Sequence, residues 1–309
     1  MASYIIRRVV LLVPVMLGVT LVTFVVMRLA PGDPTALLVD ERSAGIDTAA
    51  VESIRRQWGL DQPPHIQYLR FLGGLARGDM GRSFSTRQQV TPAILERLPA
   101  TAMLALAALA FAVVAGMLLG VLAAVKHGKW FDFLTMVGSL SGVSVPVFWL
   151  GPLLIFLFSV NLGILPASGY GDWRNLVLPA VALGAISAAL IARITRSAML
   201  EVIGSEFITA ARGRGLTERV IIYKHALRNA LIPVLTILGL QLGNLLSGAV
   251  ITETIFNWPG VGRLIVDSIS RRDLPMVQGG VLLLAGVFAL ANLPADIAYA
   301  FADPRIRLT

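Results

Sequence analysis

Six stretches of this chain are apolar for about as long as a helix needs to cross a bilayer, and no other feature limits its fold as strongly. They run Val9–Leu29, Ala100–Val125, Phe133–Val160, Leu176–Ile194, Ala230–Phe256 and Val277–Phe301. The hydrocarbon core asks for about 20 consecutive apolar residues in a helix. Backbone polar groups in lipid must find partners within the segment or within a closed barrel, and these stretches lack the alternation of barrel strands. The expectation is an all-α integral membrane protein with six transmembrane helices. Only 14% of the 309 residues are charged, against about 25% in soluble domains. The net charge of +8 is spread along the flanks of the spans, which points to lipid rather than nucleic acid as the neighbour. The chain has no cysteine, which excludes thiol catalysis and thiolate metal sites. His65, His127 and His225 lie far apart without metal-ligand spacing, so neither a metal nor a catalytic centre is expected.

The placement of Lys and Arg sets an orientation. Arg7 and Arg8 precede the first span, Lys126 and Lys129 follow the second, Arg193 to Arg228 separate the fourth from the fifth, and Arg305 and Arg307 follow the sixth. With six crossings these all fall on one side, so both termini are expected in the cytoplasm. The N-terminal apolar run is too long for a signal-peptide core and reads as a retained first helix. Pro31–Pro99 is the one substantial polar segment, with eight Arg against eight Asp and Glu; it reads as an extracytoplasmic loop region. It opens on a Pro31-Gly-Asp-Pro34 turn, and Val51–Leu60 and Ile66–Leu75 carry helical periodicity. No repeat or linker divides the chain, so 1–309 reads as one transmembrane domain.

Small residues four apart allow membrane helices to approach closely. The second span has Ala112, Gly116, Gly120 and Ala124, the third Gly138 and Gly142, and the fifth Gly239, Gly243 and Ser247. Packing within one bundle explains them; so does a fifth span lining an interface or a path, since Gln241 and Asn244 lie near its small-residue face. Pro14, Pro146, Pro152, Pro179, Pro233 and Pro294 kink or bound helices. Glu253 and Asp296 lie close to span ends and read as interface-anchored carboxylates rather than a midplane proton relay.

The segment 197–229 is the longest basic interruption. Ser205 is positioned to cap a helix over Glu206–Arg212, Gly213 and Gly215 break it, and Thr217 is positioned to start a second short helix from Glu218 toward Pro233. Ala210 and Ala211 let a partner approach, Phe207 and Ile208 supply apolar anchors, and Arg212 and Arg214 supply charge at a rim. The same pattern also suits a basic amphipathic stretch resting on anionic lipid, and the residues alone leave both readings open.

Thr209-Ala210-Ala211-Arg-Gly-Arg-Gly215 resembles the Glu-Ala-Ala…Gly loop of ABC importer permeases, with Thr209 in place of the Glu and Pro233 further downstream, as in the peptide and nickel branch. Further segments resemble that branch in the same order: Leu29-Ala-Pro-Gly-Asp-Pro34, Arg77-Gly-Asp-Met-Gly-Arg-Ser83, Arg97-Leu-Pro-Ala-Thr101, Val145-Pro-Val-Phe-Trp-Leu150, Leu165-Pro-Ala-Ser-Gly169, Arg193-Ile-Thr-Arg196, His225-Ala-Leu-Arg-Asn-Ala230, Glu253-Thr-Ile-Phe-Asn-Trp-Pro-Gly260 and Asp303-Pro-Arg-Ile-Arg307. The resemblance covers essentially the whole chain and is to the B-type permeases of dipeptide or oligopeptide importers. It implies a type I ABC importer permease fold in a bacterial plasma membrane. It also implies a second homologous permease, two cytoplasmic ATPase subunits and an extracytoplasmic substrate-binding protein. Glu206, Phe207, Thr209, Ala210, Ala211, Arg212, Arg214 and Gly215 are then expected to couple to the ATPases, and Gln241 and Asn244 to line the path. ATP and Mg would sit on the ATPase subunits, since this chain has no Gly-x-x-x-x-Gly-Lys-Ser/Thr phosphate loop. The implied cargo is a di- or oligopeptide, with nickel, glutathione or haem as alternatives.

Other classes fit less. A secondary transporter would show inverted repeats or buried coupling charges. Gly169-Tyr-Gly-Asp172 matches a short intramembrane-protease signature, but that chemistry needs two carboxylates held together and Asp172 falls in a loop. A channel would show a filter-like element.

Overall fold

The computed structural model describes residues 2–29 and 61–302, together with Glu52, Arg56 and Gly59. The turn expected at Pro31–Pro34, most of the helix expected over 51–60 and the Asp303–Arg307 segment lie outside the described residues, as do the side chains of Pro294 and Asp296. The described chain is helical: α1 Ala2–Leu29, α2 Pro64–Leu75, α3 Val90–Val125, α4 Trp130–Ser144, α5 Val147–Leu154, α6 Trp173–Ile203, α7 Glu206–Gly213, α8 Glu218–Val220, α9 Leu227–Ile255, α10 Val261–Ser270 and α11 Leu274–Ala302. Wide π-type turns over Ile155–Asn161 and Ile221–Ala226 extend α5 and join α8 to α9.

Among the described residues five continuous helices are long and apolar enough to cross a membrane, and α4 with α5, taken as one bent span, makes a sixth. The bend has a local cause. Pro146 pushes the residue before it out of the helical region, and Val145 sits at φ −84°, ψ 117°. The helices outrun their apolar cores: α3 begins ten residues before Ala100, and α6 continues nine beyond Ile194. The second helix expected after Gly215 is no separate element, because α8, the π turn and α9 form one continuous rod through Pro233.

The chain packs as two compact units, Met1–Thr101 with Pro259–Ala289, and Ala102–Trp258 with Leu290–Thr309. In the first, α2 docks on α1. Tyr68 Oη lies 2.9 Å from Thr20 Oγ1 and donates to the Leu17 carbonyl at 3.2 Å, with its ring 5.4 Å from that of Phe24. Leu17 lies about 18 Å along the helix from Leu29 at 1.5 Å per residue, so part of the segment read as a soluble loop packs beside a membrane span. Val90, Ile94, Val261, Ile265, Met276 and Val277 form this unit's core. Gly279 and Gly280 make it possible: a Cβ on either would fall 2.5 Å from Val90 Cγ1 or Ile265 Cγ1. The buried Asp273 carboxylate accepts from Ser83 Oγ, from Phe84 N at 3.0 Å, and from Ser85 N and Oγ at 3.3 and 2.9 Å. Four donors compensate the cost of burying that charge.

In the second unit α6 is the central element. A Cβ at Gly116 would lie 2.7 Å from the Ala188 carbonyl, one at Gly120 2.5 Å from that of Ala192, and one at Gly184 2.5 Å from that of Ala108. The register rises together on both helices, so α3 and α6 run parallel with their backbones nearly touching. Asp172 caps α6 through Arg174 N at 3.3 Å, with Gly169 and Gly171 at φ +121° and +107° just before it. The Gly169–Asp172 motif is thus a turn and a helix cap. Among the described residues four helices end in the same way, with a left-handed residue followed by an amide that reaches back five residues. Gly78 (φ +77°), Gly215 (φ +79°), Asn257 (φ +55°) and Arg272 (φ +52°) are the left-handed residues, and Asp79 N–Gly74 O, Leu216 N–Ala211 O, Trp258 N–Glu253 O and Asp273 N–Ser268 O are the closing bonds. At the end of α9 this fold-back brings the buried Trp258, which stacks edge-on with Tyr170 at 5.0 Å. Glu253 is therefore fully buried and is not the interface-anchored carboxylate expected from its place near a span end.

The glycine contacts give a sharp contrast. Gly120→Ala is expected to destabilise the protein by about 1–3 kcal/mol through overpacking. Gly138→Ala, with nothing within 4 Å of the added Cβ, should leave thermal unfolding in detergent unchanged or slightly raised. Equal behaviour of the two variants would show that the α3–α6 approach is not tight.

Candidate functional site

The helix α7 is short, and only its ends and one face are held. Ser205 stands at its N-cap, but its hydroxyl donates to the Val202 carbonyl at 2.5 Å instead of capping. Gly215 closes the other end; Gly213 stays helical. The turn that follows is clamped by an ion pair, with Arg212 Nε 2.7 Å from Glu218 Oε1. The Arg212 guanidinium holds the Glu218 carboxyl below the usual carboxylate range. That contribution is full at neutral pH and fades as the pH falls through the lowered value, and exposure keeps it small.

The inner face of α7 is bolted to the bundle. Ile208 and Ala211 are buried in a cluster with Val121 and Ala124 at the end of α3, Ala198 and Met199 at the end of α6, and Ile221, Ala226 and Ala230 on the α8–α9 rod. Ile221 and Ala226 are five residues apart and both fully buried. An α-helix would point them in different directions, whereas the i→i+5 ladder of a π turn stacks them on one side. The outer face carries Glu206, Phe207, Thr209 and Ala210, all exposed, with Arg214 and Gly215 at its end. Phe207 is 47% exposed.

Of the two apolar anchors read from the sequence, then, only Phe207 is available, and of the alanine pair only Ala210 faces out. Ile208 and Ala211 are committed to the core. Arg212 is engaged with Glu218, which leaves Arg214 as the less encumbered charge. The two proposed path residues separate: Gln241 is buried and its Oε1 accepts from Ser187 Oγ of α6 at 3.1 Å, while Asn244 is exposed on α9.

One cluster at the same end of the unit was not legible in the sequence. Asp132, in the first turn of α4, takes both arms of Arg196 of α6, at 2.5 Å from Nε and 2.8 Å from Nη2. Gly128 N and His127 Nδ1 each lie 3.0 Å from Oδ2, the oxygen that Nη2 also meets. The partners are 64 residues apart and no spacing rule links them; Arg196 registers in the sequence only as one more positive flank.

Chemically, the outer face of α7 is a contact surface. What it offers is a small, rigidly backed helix with an exposed aromatic and an adjacent alanine, the composition of an interface anchor with a close-approach site.

Residues 116–308 match the family described as binding-protein-dependent transport system inner membrane component, and residues 1–105 match its N-terminal counterpart. The chain is 47% identical to the di/tripeptide transport system permease protein DppB of Pseudomonas aeruginosa (strain UCBPP-PA14), covering 99% of each chain. It is 42% identical to the dipeptide permease DppB of Escherichia coli (strain K12), again over 99% of both. It is also 41% identical to the glutathione transport system permease protein GsiC of Salmonella paratyphi A, over 99% of both. Among solved structures, the MetNI methionine ABC transporter aligns with a TM-score of 0.56 at 22% identity, covering 67% of this chain and 95% of that one.

The division of α7 into two faces predicts two outcomes. Ile208→Ala should cost about 2–5 kcal/mol as a core truncation, whereas Phe207→Ala should stay within about 0.5 kcal/mol. Thermal unfolding of the purified protein measures both, and a larger loss at Phe207 would invert the assignment of faces.

Proposed function

This chain belongs to the family of binding-protein-dependent transport inner membrane components, and we propose that it carries di- and tripeptides as one of two homologous permeases in an ABC importer. Two ATPase subunits hold the ATP and Mg, and a binding protein delivers cargo from outside. Both termini and α7 face the cytoplasm, in keeping with the Lys and Arg distribution. Residues 1–309 act as one permease domain, and this subunit performs no bond chemistry of its own.

The observation that carries the reading is the two-faced α7. Its exposed Phe207 and Ala210 suit a pocket on an ATPase, and its buried Ile208 joins it to the ends of α3, α6 and α9. A push on the outer face is thus transmitted to three spans at once, as a rigid-body switch requires. The peptide assignment rests on the relatives named for di- and tripeptide transport, which match over the full chain. Glutathione, itself a tripeptide, is the second reading, favoured by the relatives named for it. Asn244, exposed on α9, is the better placed of the two path residues; Gln241 positions α9 against α6.

Two measurements test this. In a strain lacking the native system, the reconstituted importer should take up labelled di- and tripeptides in competition with one another, and uptake of glutathione but not of alanyl peptides would replace the first reading with the second. Gly215→Val places a β-branched residue at φ +79°, a strain of about 1–3 kcal/mol. It should abolish uptake and substrate-stimulated ATP hydrolysis while the protein still inserts, and normal coupling in that variant would remove α7 from the mechanism.

A further inference from the structure

The unit formed by Met1–Thr101 and Pro259–Ala289 contains a cavity of about 480 Å³, within the range of ligand pockets. Coupling at α7 makes no use of it. Phe24 of α1, Phe71 of α2, Arg70, Arg77, Arg82 and Gln278 of α11 are among the residues that line it.

Three features define what it would hold. The first is charge. Three arginines line the cavity against one acidic residue, Asp79, whose Oδ1 already accepts from Gly81 N at 2.8 Å. Arg77 spends its Nε on the Gly73 carbonyl at 3.0 Å; the side chains of Arg70 and Arg82 form no ion pair or hydrogen bond with another described residue. The second is an orphan donor. Gln278 is 5% exposed, and its buried Nε2 has no hydrogen-bond partner, a state that buried amides rarely tolerate without a bound acceptor. The third is depth. Phe24 lies about 8 Å inside the end of α1 and Gln278 about 6 Å inside the start of α11, at 1.5 Å per residue. These are the ends of the first and last spans, so the cavity opens where a bilayer passes from hydrocarbon to headgroups.

We infer that this cavity binds the phosphate of a phospholipid headgroup. Guanidinium forks match phosphate oxygens in pairs, the Gln278 amide supplies a further donor, and Phe24 and Phe71 receive the start of the acyl chains. A free phosphate ion would satisfy the arginines but not the aromatic wall, which favours the lipid as the source. The choice of leaflet rests on the orientation proposed above; the site itself does not.

The test uses the complete transporter complex, stripped of lipid in detergent and titrated under native mass spectrometry. Phosphatidylglycerol should be retained, diacylglycerol with the same chains should not, and inorganic phosphate should fail to displace the lipid. Arg70→Ala with Arg82→Ala should weaken retention about tenfold or more, the loss expected for charge-assisted hydrogen bonds. Gln278→Leu, of similar size without a donor, should weaken it severalfold. Each variant is checked for unchanged elution and unfolding temperature. If the double alanine variant fails to fold, Arg70→Lys with Arg82→Lys keeps the charge, loses the forks and should show an intermediate loss. Retention equal to wild type in the folded variants, displacement by inorganic phosphate, or equal binding of diacylglycerol would each overturn the site. The readout involves no cargo, so failure of the peptide reading would leave it standing.

Discussion

Within the larger unit, everything else is arranged around the contact of α3 with α6 across Gly116, Gly120 and Gly184. Lipid chains are as apolar as leucine, so membrane helices gain nothing from merely hiding apolar side chains from one another. They gain from dense packing, and the densest packing needs residues without a Cβ where the backbones meet. Carbonyl oxygens of Ala188, Ala192 and Ala108 occupy the space that side chains at those three glycines would take. With α3 and α6 joined this closely, the remaining helices are placed by what α6 has left to offer. α4 approaches at Gly142, whose Cβ would sit 3.4 Å from Ala189, and is locked by the Asp132–Arg196 pair. α9 is set by the Ser187–Gln241 hydrogen bond and by Gly248, where an added Cβ would meet Leu183 Cδ1 at 3.1 Å.

A stiff pair of helices is useful only if force can reach it. The cluster around Ile208 supplies that connection, because it takes residues from the ends of α3, α6 and α9 and from one face of α7. The partition of α7 explains a pairing that otherwise looks redundant. Phe207 and Ile208 are neighbours of similar hydrophobicity, yet a helix turns about 100° between them, so one must face out when the other is buried. The same logic separates Ala210 from Ala211. Arg212 contributes by closing the turn on Glu218, which fixes the angle between α7 and the rod that starts at α8.

The spans were legible because crossing a membrane is mainly a matter of composition over length. The small-residue rows were legible for a related reason: spacing of four along one helix is local information. Gly116 and Gly120 meet α6 as that spacing requires, although Gly138, which has the same pattern, faces open space. Turn chemistry was partly legible, since Gly215 takes the left-handed conformation, but Asn257 and Arg272 do so without being glycine. What the sequence could not show is pairing across distance. Ser83 and Asp273 are 190 residues apart, Asp132 and Arg196 64, and Tyr68 and Thr20 48. Apart from Thr20, which lies within the first span, each residue alone reads as an ordinary polar loop or flank position. Glu253 failed for the same reason, since its burial depends on Trp258 returning over the helix end. Ile208 failed because the face on which a short helix is held depends on what three other helices place beneath it.

Rigidity and compliance are divided along the chain by backbone hydrogen bonding. The close α3–α6 pair keeps its regular i→i−4 ladder through the region of contact. The irregular backbone lies elsewhere: at Val145–Pro146 between α4 and α5, over Ile155–Asn161 and over Ile221–Ala226. A π turn carries wider, less favourable ladder geometry than an α turn, and a proline removes one bond altogether, so bending costs less at these three places than within the α3–α6 contact. The last of them is also where packing is most exacting, because Ile221 and Ala226 both enter the Ile208 cluster only in the π register. That turn therefore links the fixed face of α7 to the start of the fifth span by way of the segment whose helical register is most easily altered. A shift of α7 that returned it to α-helical register would rotate Ala226 away from Ile221 and break up the cluster.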